Sequence, residues 1–375
     1  MALPSAPVFL LHQTFKNRAA LPPVGAAGIA AGGTAPGLVV CYDDVHERGV
    51  LATAGARGSL SPLIADPGGH RYGRREISNI PTASWIRRQP PRSSGEWDQT
   101  SSEAIQAQRA LQTDALVIPT VELQSADWPN GLQRAVDAAR RAFRRDHQPR
   151  DPDWFARFCV RDDWISQETL RRTLLQQVTD LPDEVGVALH VRWSRRDILT
   201  DNAALRALSA TVTALADDDR KVLLLEAGLV GWLAIGWGAW GFTAGASQAS
   251  WHDSTQPMGA QPGVPKPPRV EYYFERGLLT RVRRAEHLKL VGRAGYQACP
   301  CSFCGTLNPG GQGGWDHLLA WQHALYTLQV LTEQVAGTTL GARRNNVRNA
   351  VAAAATVAGQ LQAAAPHLPI WLSHL

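Results

Sequence analysis

Five cysteines in 375 residues are too few for a disulfide framework, and three of them fall within six positions. That usage fits metal ligation in a reducing compartment. The chain has no uninterrupted run of about 18 apolar residues, so no segment reads as a membrane span. The opening MALPSAPVFLLHQTF carries a short apolar stretch with no basic residue ahead of it, so no secretory signal is expected and the expected location is cytoplasmic. No solenoid-type repeat is visible. Charged residues make up only 19% and hydrophobic residues 44%, the balance of a globular chain that buries a sizeable core. The net charge of +5 permits contact with nucleic acid without requiring it. The thirteen tryptophans are read mainly as packing, although such rings can stack on bases.

What is present is a series of eight short apolar runs: VFLLHQ, GLVVCY, PLIAD, ALVIPT, FARFCV, VGVALHV, KVLLLEAG and GWGAWGFTAG. Between several of them lie patterns such as LQRAVDAARRAF and SQETLRRTLLQQV, whose apolar spacing of three and four suits an amphipathic helix. Alternating strand and helix imply parallel strands covered by helices. Eight such units within about 250 residues predict a (β/α)8 TIM-type barrel, with an open doubly wound sheet as the runner-up. Residues 252–268, rich in Pro and Gly, mark a boundary. The expected domains are a barrel over 1–268 and, over 269–375, a metal-binding subdomain with C-terminal helices. Residues 74–104 read as an exposed rim loop and 305–314 as a second loop. Helical patterns follow from Trp315 to about Gln334 and from Arg343 to about Ala364.

Cys299-Pro-Cys301-Ser-Phe-Cys304 presents three thiols on a tight turn. Thiolates about 2.3 Å from zinc need such convergence. A fourth ligand is expected from the following helix, where His317 and His323 lie six positions apart and face different sides. Zinc with four protein ligands is closed to a reactive water, so its work is folding, not catalysis.

The C-x-C-x-x-C turn, the later histidine in WQHALYTLQVL and the barrel before them together resemble the tRNA-guanine transglycosylase family. That family is a zinc-bearing (β/α)8 barrel whose members exchange a guanine in nucleic acid for a 7-deazaguanine. The resemblance implies Zn2+ on Cys299, Cys301, Cys304 and His323. Leu63-Ile64-Ala65-Asp66-Pro67-Gly68-Gly69-His70 is similar to the family's strand-end L-T-D-S-G-G-F-Q. It implies that Asp66 touches the exchanged base and moves protons, with Gly68 and Gly69 beside it. Gly238-Ala239-Trp240-Gly241-Phe242-Thr243 stands where the family has G-V-D-M-F-D, which puts Thr243 in place of the nucleophilic aspartate. A threonine hydroxyl is a poor nucleophile without an adjacent base. Glu226, Asp253 and Glu122 are the carboxylates that could substitute for it. Arg161, Asp162, His190 and Arg192 fall at strand ends near the family's base-recognition segments and are further base-binding candidates.

The resemblance implies as partners a guanine or 7-deazaguanine base and, for exchange, tRNA or DNA. It also implies a homodimer through the zinc region, as many members form. The alternative is a member with altered catalysis, repurposed to bind or process a partner in a bacterial antiviral defence system, where relatives of this kind occur. Arg269, Arg281, Arg283, Arg284, Lys289 and Arg293 form a basic stretch before the zinc turn that would attract backbone phosphate. Arg140, Arg141, Arg144, Arg145 and Arg150 form a second one.

Overall fold

The computed structural model of the chain describes residues 3–13, 21–41, 60–67, 93–120, 122–123, 130–194, 198–245, 270–311 and 313–375, without the side chains of Gln13 and Cys41. Nine parallel strands run in chain order: β1 (Val8–Gln13), β2 (Gly37–Cys41), β3 (Leu63–Asp66), β4 (Ala115–Ile118), β5 (Glu122–Leu123), β6 (Asp153–Arg161), β7 (Val185–Arg192), β8 (Val222–Leu224) and β9 (Gly241–Gly245). Parallel pairings join β1 to β2, β2 to β3 and β3 to β4, and likewise β5 to β6, β6 to β7, β7 to β8 and β8 to β9, while β4 pairs with β6 and β9 returns to β1 with Leu10 opposite Thr243. The two-residue β5 pairs only with β6, beyond β4, so the sheet is a closed barrel of eight strand positions. Each of the eight apolar runs of the sequence coincides with one of these strands in whole or in part. Their continuous apolar character follows from burial on both faces; every residue of β7, for example, is buried.

Period-two alternation divides the strand side chains between an outer core under the helices and an inner plug. Leu10, Val39, Ile64, Val117, Phe155, Ala188 and Leu223 point inward and pack with Leu225 and Trp240. Phe9, Leu11, Leu38, Leu116, Phe158, Leu189 and Phe242 point outward into the larger core.

The covering helices are α1 (Pro22–Ala30), α2 (Ser94–Ala110), α3 (Asn130–Asp146), α4 (Asp163–Ser166), α5 (Glu168–Thr179), α6 (Asn202–Asp217) and α7 (Gly228–Ala234). In α3 the residues Leu132, Ala135, Val136, Ala139 and Phe143 make the buried stripe that its spacing predicts. Helix α2 corrects the expected rim loop, because residues 94–104 lie inside it. Ser93 is its N-cap and accepts from the N–H of Glu96 at 3.2 Å.

After β9 the described chain resumes with the hairpin β10 (Tyr272–Glu275) and β11 (Thr280–Arg283), then α8 (Arg284–Val291), α9 (Ser302–Leu307), α10 (His317–Val335), α11 (Leu340–Gln360) and α12 (His367–Leu372). The boundary expected at 252–268 lies outside the described residues. Helix α10 packs on β1, α1 and α7, which makes it the eighth helix of the barrel ring, covering the seam between first and last strands. Glu333 near its end accepts from the N–H and hydroxyl of Thr34, at 2.6 and 2.7 Å. The loop expected at 305–314 begins only at Asn308, a left-handed C-cap (φ +45) of α9. No helix among the described residues is long and apolar enough to cross a membrane.

Candidate functional site

Two residues beyond the plug, on the same inward columns, the barrel interior turns from apolar to charged. Leu10 is followed by His12, Ile64 by Asp66, Phe155 by Arg157 and Ala188 by His190. These four lie at the C-terminal ends of their strands, the end at which TIM barrels place their chemistry. All are at most 2% exposed. Arg157 Nε lies 2.6 Å from Asp66 Oδ1, and its NH2 group donates to Oδ2 at 3.4 Å. The same NH2 contacts His190 Nδ1 at 3.0 Å. A guanidinium only donates, so His190 Nδ1 accepts and its proton sits on Nε2. Across the mouth, Glu226 Oε1 is 3.3 Å from His12 Nε2 and Oε2 is 3.8 Å from His190 Nε2. The Thr120 hydroxyl donates to the carbonyl of Arg157 at 2.5 Å. The layer is therefore one connected set, Asp66–Arg157–His190–Glu226–His12.

The residues expected from the sequence divide accordingly. Asp66 and His190 enter this set. Thr243 is fully buried next to it, with its hydroxyl accepting from the N–H of Glu226 at 2.7 Å. Arg192 pairs with Glu122 at 2.5 Å on the neighbouring columns. Asp162 accepts from the N–H and hydroxyl of Ser194, at 3.0 and 2.5 Å, so its carboxylate is turned to the turn after β7. Arg161 ends β6, half-buried, in register with Arg192. Gly68, Gly69 and Asp253 lie outside the described residues. His12, Thr120 and Arg157 carry functional geometry that the sequence reading does not name. The available signal is a polar side chain inside an apolar strand at the inward phase, as in VFLLHQ and FARFCV.

The second site is built by the hairpin, α9 and α10. Cys301 caps α9 through its sulfur, which accepts from the N–H of Cys304 at 3.4 Å. That turn brings Cys299, Cys301 and Cys304 together with His323, with ligand atoms all within 4.8 Å of one another. The sulfurs of Cys301 and Cys304 are each 3.3 Å from His323 Nδ1. A tetrahedral zinc with sulfur at about 2.3 Å and nitrogen at about 2.05 Å would separate them by about 3.6 Å, close to what is seen.

His323 Nε2 lies 2.8 Å from the carbonyl of Phe274 and donates to it, which leaves Nδ1 for a metal. Tyr273 stacks on the His323 ring, 4.5 Å between centroids, and its hydroxyl lies 3.1 Å from Cys304 Sγ. Burial lowers the His323 pKa, but hydrogen bonds with Cys299 and Cys301 outweigh it and raise the value to about 9. Among the described residues this is the one cluster of its kind. It could hold a metal ion, and its donor set is consistent with zinc.

His317, the other histidine considered, is not part of the cluster. It lines a small cavity with Tyr272, Arg281 and Trp321. Arg281 is stacked between those two rings, 4.8 Å from Tyr272 and 4.3 Å from Trp321, and burial lowers its pKa to about 10. Of the basic stretch before the cysteines, Arg284 pairs with Glu271 and donates to the carbonyls of Gly311 and Gly313, and Arg293 donates to that of Leu361. Arg283 and Lys289 remain exposed. On α3, Arg140, Arg141 and Arg145 are matched by Asp137, Asp98 and Asp146. No protein-family model matches the chain, and no curated protein matches its sequence.

Proposed function

We propose that the barrel binds a guanine or 7-deazaguanine base in its C-terminal mouth and exchanges such a base in tRNA or DNA. In this reading zinc on Cys299, Cys301, Cys304 and His323 holds the C-terminal unit as a structural staple. The observation that carries it is the charged layer in the mouth of a closed barrel that also bears a Cys3His cluster, its histidine on the helix over the β1–β9 seam, because the family that the sequence resembles is a zinc-bearing barrel with such a ligand set. The chemistry of the layer suits the ligand. Guanine offers acceptors at O6 and N7 and a donor at N2, and the mouth offers carboxylates at Asp66 and Glu226 alternating with donors on Arg157, His12 and His190. Among the described residues of the basic stretch, Arg283 and Lys289 are exposed and could meet phosphate.

A second reading is a base-binding barrel without exchange, acting on a protein or nucleotide partner in antiviral defence. The commitment of the Thr243 hydroxyl to a backbone N–H favours it, because that hydroxyl is not poised to attack. Incubation with radiolabelled guanine and either tRNA or double-stranded DNA separates the two. Incorporated label supports exchange. Binding of free guanine without incorporation supports the second reading, and neither result removes both.

A further inference from the structure

Among the groups of the mouth, Glu226 is the one whose backbone conformation packing alone does not explain. Its φ is +50°, in the left-handed region that a non-glycine residue enters only when its surroundings compel it and that clusters at functional sites. The compulsion comes from one residue of β9. The N–H of Glu226 donates to Thr243 Oγ1 at 2.7 Å, and the N–H of Ala227 donates to the Thr243 carbonyl at 3.0 Å. Gripped at two successive amides, the chain turns sharply after β8 and delivers the Glu226 carboxylate between His12 and His190, one oxygen toward each imidazole.

The two carboxylates of the mouth differ in availability. Asp66 faces Arg157 with both oxygens and its side chain is 2% exposed. Glu226 is 9% exposed, and its ion-pair partners among the described residues are the imidazoles of His12 and His190 rather than a guanidinium.

We infer that Glu226, and not Asp66, is the carboxylate that meets the reacting carbon, and that Thr243 is the residue that positions it. The inference rests on the base-exchange reading above. In the first half-reaction a Glu226 oxygen forms a bond to C1′ as the C1′–N9 bond breaks. The electron pair leaves on the base, which takes a proton from solvent. In the second half N9 of the incoming base bonds C1′ and releases its proton to solvent, while the C1′–O electron pair returns to Glu226. A carboxylate suits this step because C1′ becomes oxocarbenium-like. The two Glu226 oxygens lie toward His12 Nε2 and His190 Nε2, at 3.3 and 3.8 Å. Thr243 thus occupies the place in the sequence where the resemblance would put a nucleophile, and the turn after the neighbouring strand β8 carries the group that can act as one.

The test uses the full-length, metal-loaded protein with radiolabelled guanine and with tRNA or double-stranded DNA. Denaturing gels follow any protein–nucleic acid adduct formed without incoming base, and peptide mass spectrometry locates the modified residue. Glu226→Gln should lose exchange by about a thousandfold at saturating guanine, together with the adduct. Thr243→Val should lower kcat by about ten- to a hundredfold per guanine-binding site, with sites counted by equilibrium binding of labelled guanine so that a loss of folded protein is not read as a loss of rate. The wild-type adduct should map to the peptide that contains Glu226. An adduct on another residue, or exchange by Glu226→Gln within tenfold of wild type, overturns the inference while the base-exchange reading stands. Guanine binding by wild type without exchange on either nucleic acid overturns both the inference and the exchange reading, and leaves the binding barrel.

Discussion

Replacing Asp66 by Asn removes one charge from a pair sealed inside the barrel, and its effect can be worked out beforehand. The Arg157 side chain is 0% exposed and its Nε is 2.6 Å from Asp66 Oδ1. With charge centres about 4 Å apart and an effective dielectric constant of about 20, the lost attraction is about 4 kcal/mol. That agrees with the roughly 3–5 kcal/mol measured when one partner of a buried pair is removed. Most of it is the expense of a guanidinium left uncompensated, so the second half of the experiment is Asp66→Leu combined with Arg157→Met. That double variant should return to within about 1 kcal/mol of wild type, because apolar groups of similar volume replace such pairs at little loss.

Guanidinium unfolding followed by tryptophan fluorescence reads both variants. A single-variant loss below about 1 kcal/mol would refute the claim that Arg157 depends on Asp66. So would a double variant no more stable than the single one. A practical corollary is that Asp66→Ala alone is a poor functional control, since it disturbs the whole mouth.

Glu226→Gly should abolish exchange yet raise stability by about 1 kcal/mol, because glycine enters the left-handed region freely; unfolding midpoints decide it. Cys301→Ser should lose stoichiometric zinc by atomic absorption, whereas His317→Ala should retain it. Zinc affinity should fall as pH falls, since the thiols must shed protons to bind, and competition with a chromogenic chelator across pH would show this. Trp321→Ala should destabilise the hairpin by about 1–2 kcal/mol through loss of its stacking on Arg281, measurable as local hydrogen exchange.

The barrel is legible in the sequence because its strands are buried on both faces and stand out as apolar runs. The failures have local causes. In α2 the core-facing positions include Thr100, Ser101 and Gln108, so the apolar periodicity that marks a helix is hidden. Gln108 nevertheless belongs to the core: its amide donates to the carbonyl of Val117 at 2.8 Å and accepts from the Val117 N–H at 2.7 Å, substituting for a backbone partner. The Ser93–Glu96 start signal was the readable one. In GWGAWGFTAG the strand begins only at Gly241, since the first half ends a 3-10 turn at Gly238, whose φ of +112° breaks the extended path.

The metal cluster is legible because its ligands are close in sequence. The mouth is legible only in single residues, Asp66, His190 and Glu226, and not as a set, because its members come from β1, β3, β6, β7 and the turn after β8. Nothing linear links His12 to Glu226, and only closure of the sheet puts them 3.3 Å apart.

The placement of α10 over the β1–β9 seam has a consequence for the order in which the molecule is made. A ribosome releases the first strand some three hundred residues before the helix that covers it, so the nascent barrel must wait with its seam bare until Val335 has emerged. The contacts that close it are among the longest-range in the chain, the class that forms last and most slowly. Because His323 lies on that same helix, metal capture by the finished cluster and closure of the barrel draw on one element. On the reading proposed above, with zinc in that cluster, a shortage of it during synthesis would be felt first as unsealed barrels prone to pair edge to edge.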